Sequence, residues 1–126
     1  MELDWNSGAL AEGLRCFDGQ QFFAAHEHWE SVWLKCDEPQ KSFLQALIQI
    51  ASALHHHQRN NLQGTLSLLN RALKKLDAFP ATFEQVDIAQ LRGLLMQWLA
   101  TVERGSQGGV HSYPTMPIID PCKPPQ

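Results

Sequence analysis

The chain of 126 residues has no apolar run near the roughly 20 residues needed to cross a bilayer. Its first residues, MELDWNSG, are acidic and lack the basic and apolar regions of a signal peptide. Both absences point to a cytoplasmic protein with no membrane partner. Cysteine is scarce: Cys16, Cys36 and Cys122 are odd in number and widely separated. They fit neither a disulfide framework nor a C-x-x-C metal or redox pair, and read as free thiols in a reducing compartment. The net charge is −3, and the basic residues do not gather in one segment. Arg71, Lys74 and Lys75, the nearest thing to a cluster, read as the wet face of a helix. Nucleic acid is therefore disfavoured as a partner, since phosphate affinity depends on collected positive charge. There is no internal repeat, and no segment alternates over enough residues to be a strand.

What remains is helical. A hydrophobic fraction of 44% and a charged fraction of 18% suit one ordinary globular domain. Asn6 or Ser7 caps a first helix to about Phe17. "FDGQ" turns into a second helix, about Gln20 to Lys35, which "CDEPQ" breaks. A third starts near Pro39, where proline suits a first turn, and runs to Arg59 before "NN". A fourth, about Leu62 to Phe79, carries Leu66, Leu69, Leu73 and Leu76 at steps of three and four and stops at Pro80. Asp87 caps a fifth, from Ile88 to about Glu103, with Leu91, Leu94, Leu95, Trp98 and Val102 as its apolar face. The predicted fold is all-α: a compact bundle of four to five helices over residues 1–104. Residues 105–126 follow as an extended proline-rich tail, sticky enough through Tyr113, Met116, Ile118 and Ile119 to pack back onto the bundle.

The second helix mixes its largest apolar side chains with polar ones in "FFAAHEHWESVW". At about 100° per residue, with His26 at zero, Trp33 falls near 340°, Phe22 near 320°, Trp29 near 300° and Phe23 near 60°. Glu30 falls near 40° and Glu27 near 100°, with His28 opposite. His26 and Glu30 thus lie between aromatics, where an unpaired carboxylate would be costly. On the third helix Gln45, Gln49, Ser52 and His56 share a strip about 60° wide by the same steps. Neutral amide, hydroxyl and imidazole groups there, in place of Lys or Glu, suit a partly buried strip. The two strips are expected to face each other across the bundle.

"HEHWE" has the form H-E-x-x-E, close to the zincin signature H-E-x-x-H, whose first and fifth residues ligate one metal while the second is the general base. His26 and Glu30 are the candidate ligands, Glu27 the candidate base and His56 the candidate third ligand. "HHH", residues 55 to 57, cannot all bind one ion, because consecutive helical side chains diverge. His56 is expected inward, with His55 and His57 flanking it.

With those residues in view, the chain resembles the domain-of-unknown-function 309 family, small all-helical proteins of bacteria and archaea. The likeness covers about Asp18 to Leu76. His26, Glu27, Glu30 and Trp33 match a-H-E-x-x-E-x-x-W, and Gln45, Ile48 and Gln49 match l-Q-x-l-I-Q. His56, Asn60, Asn61, Gly64 and Thr65 match an H-x-x-x-G-N turn followed by G-A. Two departures are Asn60 for the family's Gly and Thr65 for its Ala, and asparagine still tolerates the left-handed turn. The resemblance implies a compact bundle, often a homodimer, and brings with it the label "predicted metal-dependent hydrolase".

Two functions follow. In one, a divalent metal (Zn, Mn or Fe) sits on His26, Glu30 and His56, Glu27 activates its water, and Gln45 and Gln49 orient substrate. In the other, the chain is a non-enzymatic, homodimeric binding or assembly module. The polar cluster then fixes helix register, and Trp29 and Trp33 line a small pocket or interface. Gln45, Gln49, Trp33 and Asn61 are the candidate binding residues. The expected partners are a second copy and a small-molecule ligand.

Overall fold

Short caps and turns set the helices of the computed structural model, which describes residues 3–103 and 113–119. Ser7 stands at the N-cap of α1 (Gly8–Asp18), although its hydroxyl bonds the Asp4 carboxylate at 2.6 Å instead of a helix N–H. Gln20, at φ 66, makes the left-handed step into α2 (Phe22–Trp33). Pro39 stands just before α3 (Gln40–Gln58), which the turn at Asn60 (φ 61) joins to α4 (Leu62–Leu76). The Asp87 carboxylate accepts the Gln90 N–H at 2.9 Å and caps α5 (Ile88–Glu103), as its sequence predicts. The fourth helix was expected to reach Phe79 but ends at Leu76. There Ala78 and Phe79 donate to carbonyls three residues back, a tighter turn that closes the helix before Pro80.

One expectation fails. A small antiparallel hairpin, β1 (Thr82–Phe83) and β2 (Val86–Asp87), precedes α5 where no strand was foreseen. Strands of two residues have no alternation to detect. The turn also lacks the usual Asn-Gly signal, placing Glu84 (φ 49) and Gln85 (φ 67) in the left-handed region. Tertiary bonds hold it there. Glu84 accepts the Leu3 N–H at 2.8 Å and the Gln40 amide at 2.9 Å on its carboxylate, and the Trp5 indole N–H at 2.8 Å on its carbonyl.

The core gathers around α3, whose Phe43, Leu44, Leu47, Ile50 and Leu54 are fully buried. A helix apolar around most of its circumference belongs at the centre, and α3 packs against both α2 and α4 while α1 packs on α2. The α1–α2 contact is close because of Gly13. A Cβ at that position would lie 2.4 Å from Trp29 Nε1, which instead donates to the Leu10 carbonyl at 3.3 Å. Trp29 also stacks on Phe17 at 5.6 Å between centroids. Residues 113–119 lie along the helices and extend the hairpin through a bridge between Ile118 and Val86. Among the described residues no helix is long and apolar enough to cross a membrane. Cys16 and Cys36 are free thiols, and Cys122 lies outside the described residues.

Candidate functional site

The α2 side of the site follows from its helical angles. Phe22, Ala25 and Trp29 form the buried face, and His26 and Trp33 stand half-exposed at the edge that meets α3. Contacts fix that edge. Phe23 lies 5.3 Å from His55 and 5.9 Å from His26 between ring centroids, and the Lys41 ammonium sits 4.4 Å above the Trp33 ring. His26 Nε2 and Glu30 Oε2 are 3.4 Å apart, the i, i+4 pair that the spacing foretold. Their depth differs from expectation. The Glu30 side chain is 52% exposed against 26% for His26, so the carboxylate avoids desolvation by pointing outward past the aromatics. Phe23 is itself 52% exposed. Glu27 is exposed, one step further round the helix.

On α3 the predicted strip is present, with Gln45, Gln49, Ser52 and His56 all half-exposed. Lys41 and His55, at one edge of the strip, meet Trp33 and Phe23 of α2, while His56 within it meets Asn61 at the start of α4. The strips on α2 and α3 therefore adjoin at the surface of the bundle instead of facing each other through its interior. Three buried polar atoms along this seam have no hydrogen-bond partner: His26 Nδ1, Trp33 Nε1 and Gln49 Oε1.

His56 does something else. Its Nδ1 lies 2.9 Å from the Asn61 amide nitrogen, while Asn61 Oδ1 accepts the Gly64 N–H at 3.0 Å. With its oxygen committed to the cap, Asn61 donates through Nδ2, so His56 accepts at Nδ1. The His56 carbonyl also takes the Asn61 N–H at 2.8 Å, and Thr65 Oγ1 donates to the Asn61 carbonyl at 2.8 Å. This is a helix-capping lock between α3 and α4, and its asparagine cap satisfies a donor at the start of α4. Gly64 is needed for it: a Cβ there would lie 2.6 Å from Asn61 Nδ2 and 3.1 Å from His56 Cγ. Asn61, put forward as a binding residue, has both ends of its amide engaged in the cap.

The three consecutive histidines thus have three separate neighbours. His55 lies against Phe23 on α2, His56 bonds Asn61, and His57 lies 2.8 Å from the Tyr113 hydroxyl. Burial, with Arg59, His56 and His26 nearby, holds the His55 imidazole below its ordinary value. Among the described residues no group of three or more His, Cys, Asp or Glu side chains is placed to hold a metal ion. His26 and Glu30 make two donors, and His56 Nδ1 is turned to Asn61. As placed, these side chains do not make the three-ligand set that the spacing proposed.

Two structural positions escaped the sequence reading. Gly13 has no neighbour in sequence that announces Trp29, although a glycine inside a helical pattern is itself a hint of close approach. Glu84 joins Leu3, Trp5 and Gln40, a hub that no local pattern signals.

Residues 10–68 match the family model described as Domain of unknown function (DUF309). An "Uncharacterized protein" of Aquifex aeolicus (strain VF5) is 31% identical over 98 residues, which cover 77% of this chain and 29% of the relative. The chain thus spans less than a third of that relative's length. Residues 10–68, which contain the His26–Glu30 pair, the glutamine strip and the His56–Asn61–Gly64 lock, are thus similar to the DUF309 family.

Proposed function

We propose that this protein is a non-enzymatic binding module whose α2–α3 seam receives a small polar ligand. The observation that carries the reading is the set of buried, unpartnered atoms His26 Nδ1, Trp33 Nε1 and Gln49 Oε1 on adjoining helices. Buried polar groups are nearly always hydrogen-bonded, so several orphans on one seam ask for a partner from outside the chain. Their chemistry describes it. Trp33 offers a donor, Gln49 an acceptor, and His26 either one according to its tautomer. A ligand with both a donor and an acceptor, such as a primary amide or an amino acid, complements all three. Half-exposure of Gln45, Gln49, Ser52, His26 and Trp33 gives it access. Glu27 and Glu30, both exposed, surround the seam with negative charge.

The test is Gln49→Leu, read by thermal unfolding with and without a panel of primary amides and amino acids. An unpaired buried acceptor costs about 1–3 kcal/mol. The leucine variant is therefore expected to melt higher than the parent without ligand and to lose any ligand-induced shift that the parent shows. A variant that melts lower would mean that Gln49 Oε1 is bonded within the fold, and the reading fails. Stoichiometric divalent metal in the purified protein, lost in His26→Ala, would also overturn it.

A further inference from the structure

Residues 113–119 are seated like a bound peptide. Tyr113 fits among Phe22, His57 and Trp98, with ring centroids at 5.1, 5.6 and 5.8 Å, and its hydroxyl lies 2.8 Å from His57 Nδ1. Pro114 and Met116 are buried, while Thr115 between them points to solvent. The Met116 N–H donates to the Asp18 carboxylate at 3.0 Å, and the Asp87 N–H donates to the Pro117 carbonyl at 2.9 Å. The Ile119 N–H donates to the Gln85 carbonyl at 2.6 Å, and Ile118 bridges Val86 as an added strand. Main-chain bonds to a sheet edge, with pockets for alternate side chains, are the means by which folded domains recognise extended peptides.

The trough is built by residues of α1, α2, α3, β2 and α5, none of which belongs to the segment that fills it. The fit also leaves a donor over. Trp98 is 5% exposed, and its buried Nε1 has no hydrogen-bond partner beside Tyr113. The occupant is joined to α5 through residues 104–112, RGSQGGVHS, which include three glycines.

We propose that the trough formed by Asp18, Phe22, His57, Val86 and Trp98 is a peptide-recognition site. It takes extended segments of aromatic-Pro-x-Met-Pro chemistry, and residues 113–119 are its tethered occupant, displaceable by a partner segment of that kind. This site is separate from the α2–α3 seam and does not depend on the ligand proposed there.

A fluorescent YPTMPII peptide, titrated by anisotropy into the full chain, tests the assignment. A tether of only nine residues holds its occupant at an effective concentration of about millimolar. The unaltered chain therefore binds free peptide weakly. The full chain carrying Tyr113→Ala and Met116→Ala is expected to bind it at least ten-fold more tightly, and adding Asp18→Ala is expected to reverse most of that gain. Equal affinity in the unaltered and tail-weakened chains overturns the proposal. So does no binding by a tail-weakened chain that keeps its helical circular dichroism, or equal binding of YATMAII. Should the tail-weakened chain fail to fold, the indole resonance of Trp98 in the unaltered chain decides. A shift with millimolar YPTMPII supports the site, and no movement sinks it.

Discussion

Replacing a helical glycine by alanine ordinarily stabilises a protein, by about 0.5–1 kcal/mol. Gly64→Ala is expected to do the opposite. The new methyl would stand 2.6 Å from Asn61 Nδ2 and 3.1 Å from both Asn61 Cγ and His56 Cγ. The Asn61 side chain must then swing away, which breaks the cap bond from the Gly64 N–H and the contact with His56. Loss of an asparagine cap costs about 1 kcal/mol, and loss of one further hydrogen bond about 1 kcal/mol. Against these stands the propensity gain of about 1 kcal/mol. The balance is about 1 kcal/mol of destabilisation, or about 4 °C in melting temperature for a domain of this size. The assay is urea or thermal unfolding followed by circular dichroism at 222 nm. Two controls make the result specific. Gly93→Ala, where an added Cβ meets nothing within 4 Å, should stabilise. In an Asn61→Ala background Gly64→Ala should cost much less or become neutral, because the Asn61 atoms it strikes have gone and only His56 Cγ at 3.1 Å is left. If Gly64→Ala stabilises the parent as Gly93→Ala does, the lock between α3 and α4 does not exist as described.

Gly13→Ala would drive a methyl to 2.4 Å from Trp29 Nε1 and 2.5 Å from its Cδ1, with the ring fully buried and unable to yield. Overpacking of this kind costs about 1–3 kcal/mol, which equilibrium urea unfolding would reveal, and an unchanged midpoint would refute the close α1–α2 approach. Burial, helped by Arg59, His56 and His26, lowers the folded-state value of the His55 imidazole beneath the 6.5 of the unfolded chain. The unfolded chain then binds more protons just below 6.5, so the stability tied to His55 is present above that pH and is lost as pH falls through the lowered value. Urea midpoints between pH 7.5 and 5 should decline, and more gently in His55→Gln. Parallel curves for parent and variant would count against the cluster.

The seam, the lock and the tail trough sort the chain's polar motifs by task. His26, Trp33 and Gln49 present buried atoms with no hydrogen-bond partner within the fold, on which the proposed ligand site rests. His56, Asn61 and Gly64 bond one another in a helix cap that falls within residues 10–68, the span similar to DUF309. One string of residues therefore carries both a candidate binding surface and the turn that positions α4.

By itself the sequence determined the helices, because their signals are local. A 3.6-residue apolar period, Ser7 and Asp87 at caps, prolines at breaks and Asn60 at a left-handed turn each act within a few residues. For the same reason it placed His26 beside Glu30 and put Gln45, Gln49, Ser52 and His56 on one strip. Only the tertiary structure decided which of these groups meet. Angles around one helix do not say how the next helix is rotated, so the strips adjoin at the surface where they were expected to oppose each other. The strands of the hairpin were invisible because the turn at Glu84 and Gln85 is held from Leu3, Trp5 and Gln40, far away in sequence. The fate of His56 turned on a competition the pattern could not express. A side chain at a helix end is within reach of the following cap, and Asn61, five residues on, engages His56 Nδ1.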